Sequence, residues 1–348
     1  RVAVGAFAEC TNLQKVILHY GIVTIEGAAF VNCTSLTSLS LPDGLDTIGN
    51  EAFGGCLNLS VTKWPKSLRR IEGKAFLACR KIVSLTLDNL DNLGNAAFGG
   101  CNALTDVTLS NIRAMDEKVF VNCANLTKVT LLDDTIQPNC AFEECPKLTS
   151  AGPLGSGCNI EYNWKNKIPA NAFAASQSDG TYIDEVILSD NIVELGSGAF
   201  SRSRITKVNL DNIITWGDGV FFGCKRFNLT KFPKKMTYIP TNTFSRCNAL
   251  CGWDLNDGIG NRIDIPATVN SIGNNAFAHC TRLVTLNVRT QNSTNKINQF
   301  DNSWVYFGNP DMTIHVHSNL EDPEEAYGPC FNYWNAEEER RVAVIKDL

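Results

Sequence analysis

The chain has 348 residues, of which 31 are Lys or Arg and 36 are Asp or Glu, so its formal net charge at pH 7 is −5. This balance argues against a nucleic-acid partner, because the domains that bind one usually carry an excess of basic residues. No apolar run approaches the roughly 20 residues that a membrane-spanning helix needs, so we expect no membrane span in this chain.

A Phe recurs along the chain, and nine of the twelve follow an Ala. The twelve are Phe7, Phe30, Phe53, Phe76, Phe98, Phe120, Phe142, Phe173, Phe200, Phe221, Phe244 and Phe277. The first seven are separated by 22 or 23 residues. Self-similarity at this period is typical of a solenoid, in which stacked coils share one continuous core.

Residues 36–56 show what one repeat contains. Leu39 and Leu41 alternate with polar residues, which predicts a short strand with one buried side. Pro42 indicates a turn after this strand, and the residues around Phe53 predict a short helical turn. We therefore predict an α/β solenoid with a parallel sheet on one face and short helical turns on the other.

The motifs Leu-x-x-Leu-x-Leu-Pro at 36–42 and Ile-Gly-x-x-Ala-Phe-x-x-Cys at 48–56 recur along the chain. This pattern resembles the BspA-like leucine-rich repeats of bacterial surface proteins over about residues 1–288. The resemblance implies a leucine-rich repeat array of about twelve coils of 22–23 residues.

The repeat also divides the chain. We expect a solenoid over residues 1–304, interrupted near 150–167, 176–182 and 251–262, and a C-terminal strand and cap over 305–348, with a helical-looking run at 336–341. Because Phe7 follows the first residue so closely, we expect the natural protein to continue upstream, where a lipid-anchoring segment could lie.

Ten Cys occupy one repeat position, three residues after the Phe: Cys10, Cys33, Cys56, Cys79, Cys101, Cys123, Cys145, Cys224, Cys247 and Cys280. Equivalent side chains on neighbouring coils lie ~4.8 Å apart and point the same way. A disulfide needs Cβ atoms ~3.8 Å apart that face each other. We therefore predict buried free thiols. Four Cys lie outside this register, and whether any of them is bridged stays open: Cys140, Cys158, Cys251 and Cys330.

The interruptions carry three aromatic residues without an assigned place in the core, namely Tyr162, Trp164 and Trp253. One interpretation is that they contact a ligand, because exposed Trp and Tyr are common binding anchors. The other is that they cover the gap left by an irregular coil.

A second candidate surface is the outward row of the strands. Small hydroxyls with occasional charges suit a protein-binding face, but any solvated strand face also favours Thr. The row contains Ser38, Ser40, Ser84, Thr86, Asp106, Thr108, Lys128, Thr130, Lys207, Asn209, Thr285 and Asn287.

Basic residues gather at Lys225, Arg226, Lys231, Lys234 and Lys235. In a chain of net negative charge we interpret them as solvated turns, with a heparin-like partner as the alternative.

No Gly-rich phosphate loop and no Gly-x-Ser-x-Gly elbow occurs, so we expect neither an enzyme nor a cofactor. The family resemblance implies a monomeric surface or secreted scaffold that adheres to host or extracellular-matrix proteins or to other cells. One alternative is a glycan-binding module of a nutrient-uptake system that stacks sugars on the three aromatics. Another is a structural spacer without a ligand.

Overall fold

A computed structural model describes residues 1–132, 140–177, 180–229, 231–251 and 262–288, and the backbone of four later strands at 313–316, 334–335, 340–341 and 343–346. The chain forms two compact units. The first comprises Arg1–Lys165 and Gly180–Ile187, and the second comprises Asn166–Asp179 and Leu188–Leu348.

Both units are built from short strands that form parallel ladders. Those of the first unit are β1 (Lys15–Ile17), β2 (Thr24–Ile25), β3 (Ser38–Ser40), β4 (Thr47–Ile48), β5 (Arg70–Ile71), β6 (Ser84–Asp88), β7 (Asn92–Leu93), β8 (Asp106–Ser110), β9 (Lys128–Leu131), β10 (Ser150–Pro153), β11 (Ile160–Tyr162) and β13 (Glu185–Val186). Their sheets have the orders β1-β3, β2-β4-β5-β7 and β6-β8-β9-β11-β10-β13. The strand pairs within these sheets are parallel, as expected for stacked coils.

The second unit follows the same plan. Its strands are β12 (Lys167–Ile168), β14 (Glu194–Leu195), β15 (Lys207–Val208), β16 (Thr215–Trp216), β17 (Tyr238–Ile239), β18 (Arg262–Ile265), β19 (Ser271–Ile272), β20 (Thr285–Val288), β21 (Thr313–Val316), β22 (Trp334–Asn335), β23 (Arg340–Arg341) and β24 (Ala343–Lys346). Parallel sheets have the orders β12-β14-β16, β17-β19 and β18-β20-β21-β24, while β22 and β23 pair antiparallel. The helical expectation for 336–341 is therefore wrong at Arg340–Arg341, which form a strand.

The core is a ladder of Phe rings. Neighbouring rings from Phe7 to Phe142 stack with centroids 5.1–5.8 Å apart. Those from Phe173 to Phe277 stack at 5.3–5.9 Å. Twelve Phe delimit about 11 turns of a parallel β-solenoid, which agrees with the predicted array. Because each ring packs on the rings before and after it, no coil buries its Phe alone.

The turns opposite the strands are not helical, and the described residues contain no helix. Residues two before the Phe have positive φ in all twelve coils, and residues two after it do so in eleven. Around Phe53, every second N–H group donates a hydrogen bond to the next coil. Glu51, Phe53 and Gly55 donate to carbonyls of that coil at 2.8–3.0 Å. The N–H groups between them donate to carbonyls of their own coil. Because the donors alternate in this way, a regular i to i−4 helical pattern cannot form.

The predicted thiols line the core beside the Phe ladder. Nine of the ten are buried and donate to the carbonyl oxygen of the Phe in the preceding coil. The tenth, Cys10, is exposed in the first coil, so the burial prediction is wrong there. Outside the register, Cys140 is buried, whereas Cys158 and Cys251 are half-buried. Cys330 lies outside the described residues.

Candidate functional site

The outward residues of three neighbouring strands form two polar rows. Ser84, Asp106 and Lys128 lie side by side on β6, β8 and β9. Two residues further along the same strands, Thr86, Thr108 and Thr130 also lie side by side. All six are exposed or half-exposed, whereas the residues that alternate with them are buried. The sequence prediction that these six share one solvent-facing surface is therefore consistent with their positions.

Glu161 borders this surface, although sequence reasoning did not select it and only 9% of the residue is exposed. It lies on β11 opposite Thr130, where its carboxylate comes within 4.0 Å of the Lys128 ammonium group. Its second oxygen accepts a hydrogen bond from Gly157 N–H at 3.0 Å. The alternation Ile160-Glu161-Tyr162 was the available signal, because it has the period of a strand. We call Ser84, Thr86, Asp106, Thr108, Lys128, Thr130 and Glu161 the strand face.

A loop bounds the strand face on one side. Strands β10 and β11 are parallel, yet only residues 154–159 connect them, whereas parallel strands usually need a dozen or more. A Cβ added at Gly152 would lie 2.7 Å from Ser156 Oγ and 2.9 Å from Cys158 Sγ, so the loop folds directly over Gly152. Leu154 stands 42% exposed on this loop. The loop therefore forms a ridge beside the polar rows.

The same strand arrangement buries two of the predicted ligand-contacting aromatics. Strand β11 inserts between β9 and β10, out of chain order, and carries Tyr162 into the interior. Tyr162 is 1% exposed and Trp164 4%, and their rings stack with centroids 4.7 Å apart. Tyr162 Oη donates to the carbonyl of Ile187 at 2.6 Å. The hypothesis that these two rings anchor a surface ligand is therefore wrong, and Trp253 lies outside the described residues.

The remaining predicted residues lie elsewhere. Ser38 and Ser40 are exposed on β3, in the separate two-stranded sheet with β1. In the second unit, Lys207 and Asn209 are exposed. The Asn209 amide accepts from Leu188 N–H at 2.6 Å and donates to Leu188 O at 2.8 Å, so it supports the backbone.

Thr285 and Asn287 were expected to face solvent, but they are only 6% and 5% exposed. Strand β20, which carries them, is central in its sheet, between β18 and β21. Asn287 Nδ2 donates to Asp264 Oδ1 on β18 at 2.6 Å. The expectation of an open face is wrong at these two residues.

Hydrogen bonds hold the polar ends of the strand face in place. Asp106 accepts a hydrogen bond from the Thr105 hydroxyl at 2.7 Å. At the far end of β6, the Asp88 carboxylate accepts from the amides of Asn89 and Asn111 at 2.8 and 2.9 Å. These carboxylates are therefore pre-positioned for recognition from outside, which lowers the cost of ordering them on binding.

The chemistry of the described residues suits recognition. Within them, no group of three or more His, Cys, Asp or Glu side chains is arranged to hold a metal ion. Burial raises the pKa of the Cys79, Cys101 and Cys247 thiols well above the ordinary value and that of Cys280 to about 12, which keeps these four protonated and poorly nucleophilic. No helix in the described part of the chain has the length and hydropathy of a membrane span.

Comparison with known proteins gives one family. Residues 1–93, 23–149, 157–259 and 255–306 match the BspA type Leucine rich repeat region, in six copies. No curated protein sequence matches the chain significantly.

Two solved structures illustrate the likeness. A leucine-rich repeat protein from Bacteroides ovatus has 18% identity and a TM-score of 0.44, over 90% of this chain and 86% of that one. A leucine rich cell surface protein from Faecalibacterium prausnitzii has 20% identity and a TM-score of 0.41, over 93% and 76%. The repeat match itself extends over most of the sequence, and the chain belongs to the BspA type leucine rich repeat family.

Proposed function

We propose that this chain is a non-enzymatic, monomeric binding scaffold of a bacterial cell surface or secreted protein, and that the strand face contacts a protein of the host, of the extracellular matrix or of another cell. The observation that carries this proposal is the pair of adjoining polar rows on β6, β8 and β9, bounded by the 154–159 loop. Family membership supports the scaffold role.

The surface has the properties of a protein-binding face. Its backbone is fixed by parallel ladders on both sides of β8 and β9, so little backbone entropy is lost on binding. The hydroxyls of Thr86, Thr108 and Thr130 are small, so a partner backbone can approach closely. Asp106 and Lys128, both exposed, supply charges of opposite sign, which favour partner selection through complementary potentials.

Tyr162 and Trp164 do not favour the sugar-stacking function that the glycan-binding hypothesis assigns to them. A stacking platform needs an exposed ring face, and the rings of Tyr162 and Trp164 are buried. The spacer hypothesis differs in one measurable respect, because a spacer binds no ligand on the strand face.

The test is a binding screen of the purified chain against an array of extracellular-matrix proteins. A Thr86→Lys, Thr108→Lys variant adds bulk and charge to the middle of the strand face, where both side chains point outward. The matched control places two Lys at exposed alanines off the strands, Ala114→Lys and Ala124→Lys. We expect a saturable interaction that the strand-face variant weakens at least about tenfold, or about 1.4 kcal/mol.

The control variant should bind like the unmodified chain. Equal losses in both variants would contradict the assignment of the strand face. A chain that binds no arrayed protein would favour the spacer hypothesis.

A further inference from the structure

One edge of the second unit concentrates cationic side chains. In the four coils from Phe200 to Phe277, the six residues after each Phe include six Arg or Lys and one His, but no Asp or Glu. The same positions in the seven coils of the first unit hold three cations and three carboxylates, so the concentration is not imposed by the repeat. We call these seven residues the cationic edge: Arg202, Arg204, Lys225, Arg226, Arg246, His279 and Arg282. Four of the seven are exposed, and Arg202, Arg204 and His279 are half-buried.

Two of these side chains share one aromatic ring. The guanidinium carbons of Arg202 and Arg246 lie 5.6 and 5.9 Å from the centroid of Phe222. Arg202 also donates from Nη1 to the carbonyl of Ser176 at 2.5 Å. Since both guanidinium groups contact the same ring, the distance between them cannot exceed the sum of these two distances. Anionic groups carried by one ligand can therefore contact both, which offsets the repulsion between the two guanidinium groups.

The coils hold these groups in register. Arg202 N–H donates to Phe222 O at 2.7 Å, and Arg246 N–H donates to Ala278 O at 2.8 Å, so the side chains follow the spacing of the coils. Burial and then the charge of Arg246 lower the pKa of His279 in the next coil, so at neutral pH the positive charge of the edge comes from its Arg and Lys side chains. The Asp218 carboxylate, in the same coil as Phe222, accepts a hydrogen bond from Thr241 N–H at 3.1 Å.

We propose that the cationic edge binds an anionic polysaccharide, with Arg202 and Arg246 as the anchors that donate hydrogen bonds to its sulfate or carboxylate groups. The planar guanidinium fork matches both kinds of oxyanion and donates two parallel hydrogen bonds. Neighbouring coils recur every ~4.8 Å, so the edge suits a polymer whose charges are regularly spaced more than a peptide with irregular charges.

Nucleic acid fits this edge less well. Proteins that bind single strands use exposed aromatic rings on which bases stack. The Phe222 ring already carries the two guanidinium groups. The proposal concerns a surface separate from the strand face, so it does not depend on the proposed protein-binding function.

The experiment is isothermal titration of the full chain with four probes: a heparin oligosaccharide, an oligogalacturonate, a poly-Glu peptide and single-stranded DNA. Heparin carries both sulfates and carboxylates, whereas oligogalacturonate carries carboxylates alone. Binding of heparin without binding of oligogalacturonate identifies sulfate as the required group, and binding of oligogalacturonate shows that carboxylate suffices. We expect Arg202→Gln, Arg246→Gln to weaken polysaccharide binding at least about tenfold. Arg246→Gln alone should weaken it severalfold, and it leaves the Arg202–Ser176 hydrogen bond intact.

The matched control is Arg80→Gln, Lys81→Gln. These two exposed cations occupy the same edge positions in a coil of the first unit, and their loss should change affinity by less than about twofold. The proposal is overturned if neither polysaccharide binds, if the control loses as much affinity as the anchor variant, or if poly-Glu or DNA binds more tightly than both polysaccharides.

Discussion

The thiol of Cys56 donates a hydrogen bond to the carbonyl oxygen of Phe30 in the preceding coil, with 3.1 Å between Sγ and O. The same carbonyl accepts the N–H of Cys33 from its own coil at 3.2 Å. The Cys position is therefore a buried donor that joins neighbouring coils, as well as a small apolar side chain. This double role explains why a thiol at this position suits a stack of closely spaced coils.

The first prediction concerns thiol reactivity in the native chain. Burial leaves Cys79 and Cys101 inaccessible and raises the pKa of both thiols well above the ordinary value, so neither forms the reactive thiolate at neutral pH. Treatment with iodoacetamide, followed by peptide mapping, should modify exposed Cys10 and half-buried Cys158 but leave these two unmodified. Denatured chain serves as the control in which all four react. Rapid native labelling of Cys79 would contradict the burial of the ladder.

The second prediction concerns alkaline pH. Burial raises the pKa of Cys280 from an ordinary value of 9.0 to about 12. Between these values the unfolded chain loses this proton and the folded chain keeps it, so the thiol's contribution to stability is full below pH 9 and declines above it. Cys280→Ala should have a lower free energy of unfolding than the unmodified chain. This difference should decrease by about 1.4 kcal/mol per pH unit above pH 9.

Urea unfolding at pH 8, 9, 10 and 11 measures this deficit. Ala276→Gly, which changes a buried side chain without a titratable group in the same coil, is the comparison and should show no such narrowing. A deficit for Cys280→Ala that stays constant across this range would contradict the raised pKa.

The third prediction uses a matched pair at one repeat position. Ala78 and Gly100 both lie two residues after their Phe, with φ of 60° and 66°. A non-glycine residue in this conformation costs roughly 1–2 kcal/mol, partly offset by the backbone entropy that glycine loses. Ala78→Gly should therefore raise the thermal unfolding midpoint, and Gly100→Ala should lower it. A Cβ at Gly100 would lie 3.7 Å from its nearest neighbour, Ala78 Cα, so crowding does not account for the loss.

Thermal unfolding followed by circular dichroism would measure both shifts. Changes of the same sign in the two variants would contradict the assigned turn conformation.

The sequence predicts the features that each coil repeats. The spacing of Phe53 and Cys56 is enough to infer a stacked core, because residues that recur at one position align when the coils stack. The turn conformation could not be read in this way. Residues such as Glu51 and Lys74 have no preference for positive φ, and the hydrogen bonds between coils impose it.

The insertion near residue 160 shows a second feature that the sequence does not predict. Its aromatics suggested a surface loop, but the alternation around Glu161 forms a strand that enters the sheet between β9 and β10. Strand order is a tertiary property, since it depends on which edge is open when the segment folds. Sequence reasoning therefore identified most of the strand face but missed Glu161, and it left open whether Tyr162 contacts a ligand or covers an irregular coil.

The most direct test of the strand face is a lysine footprint with a matrix protein retained in the array screen. Lys128 on the strand face and Lys74 on the turns are a matched pair, with side chains 54% and 48% exposed and each beside a carboxylate. Acetylation with and without the bound protein, read by mass spectrometry, should show Lys128 protected and Lys74 unchanged. Protection of Lys74 with full reactivity at Lys128 would contradict the account and place the binding surface on the turns.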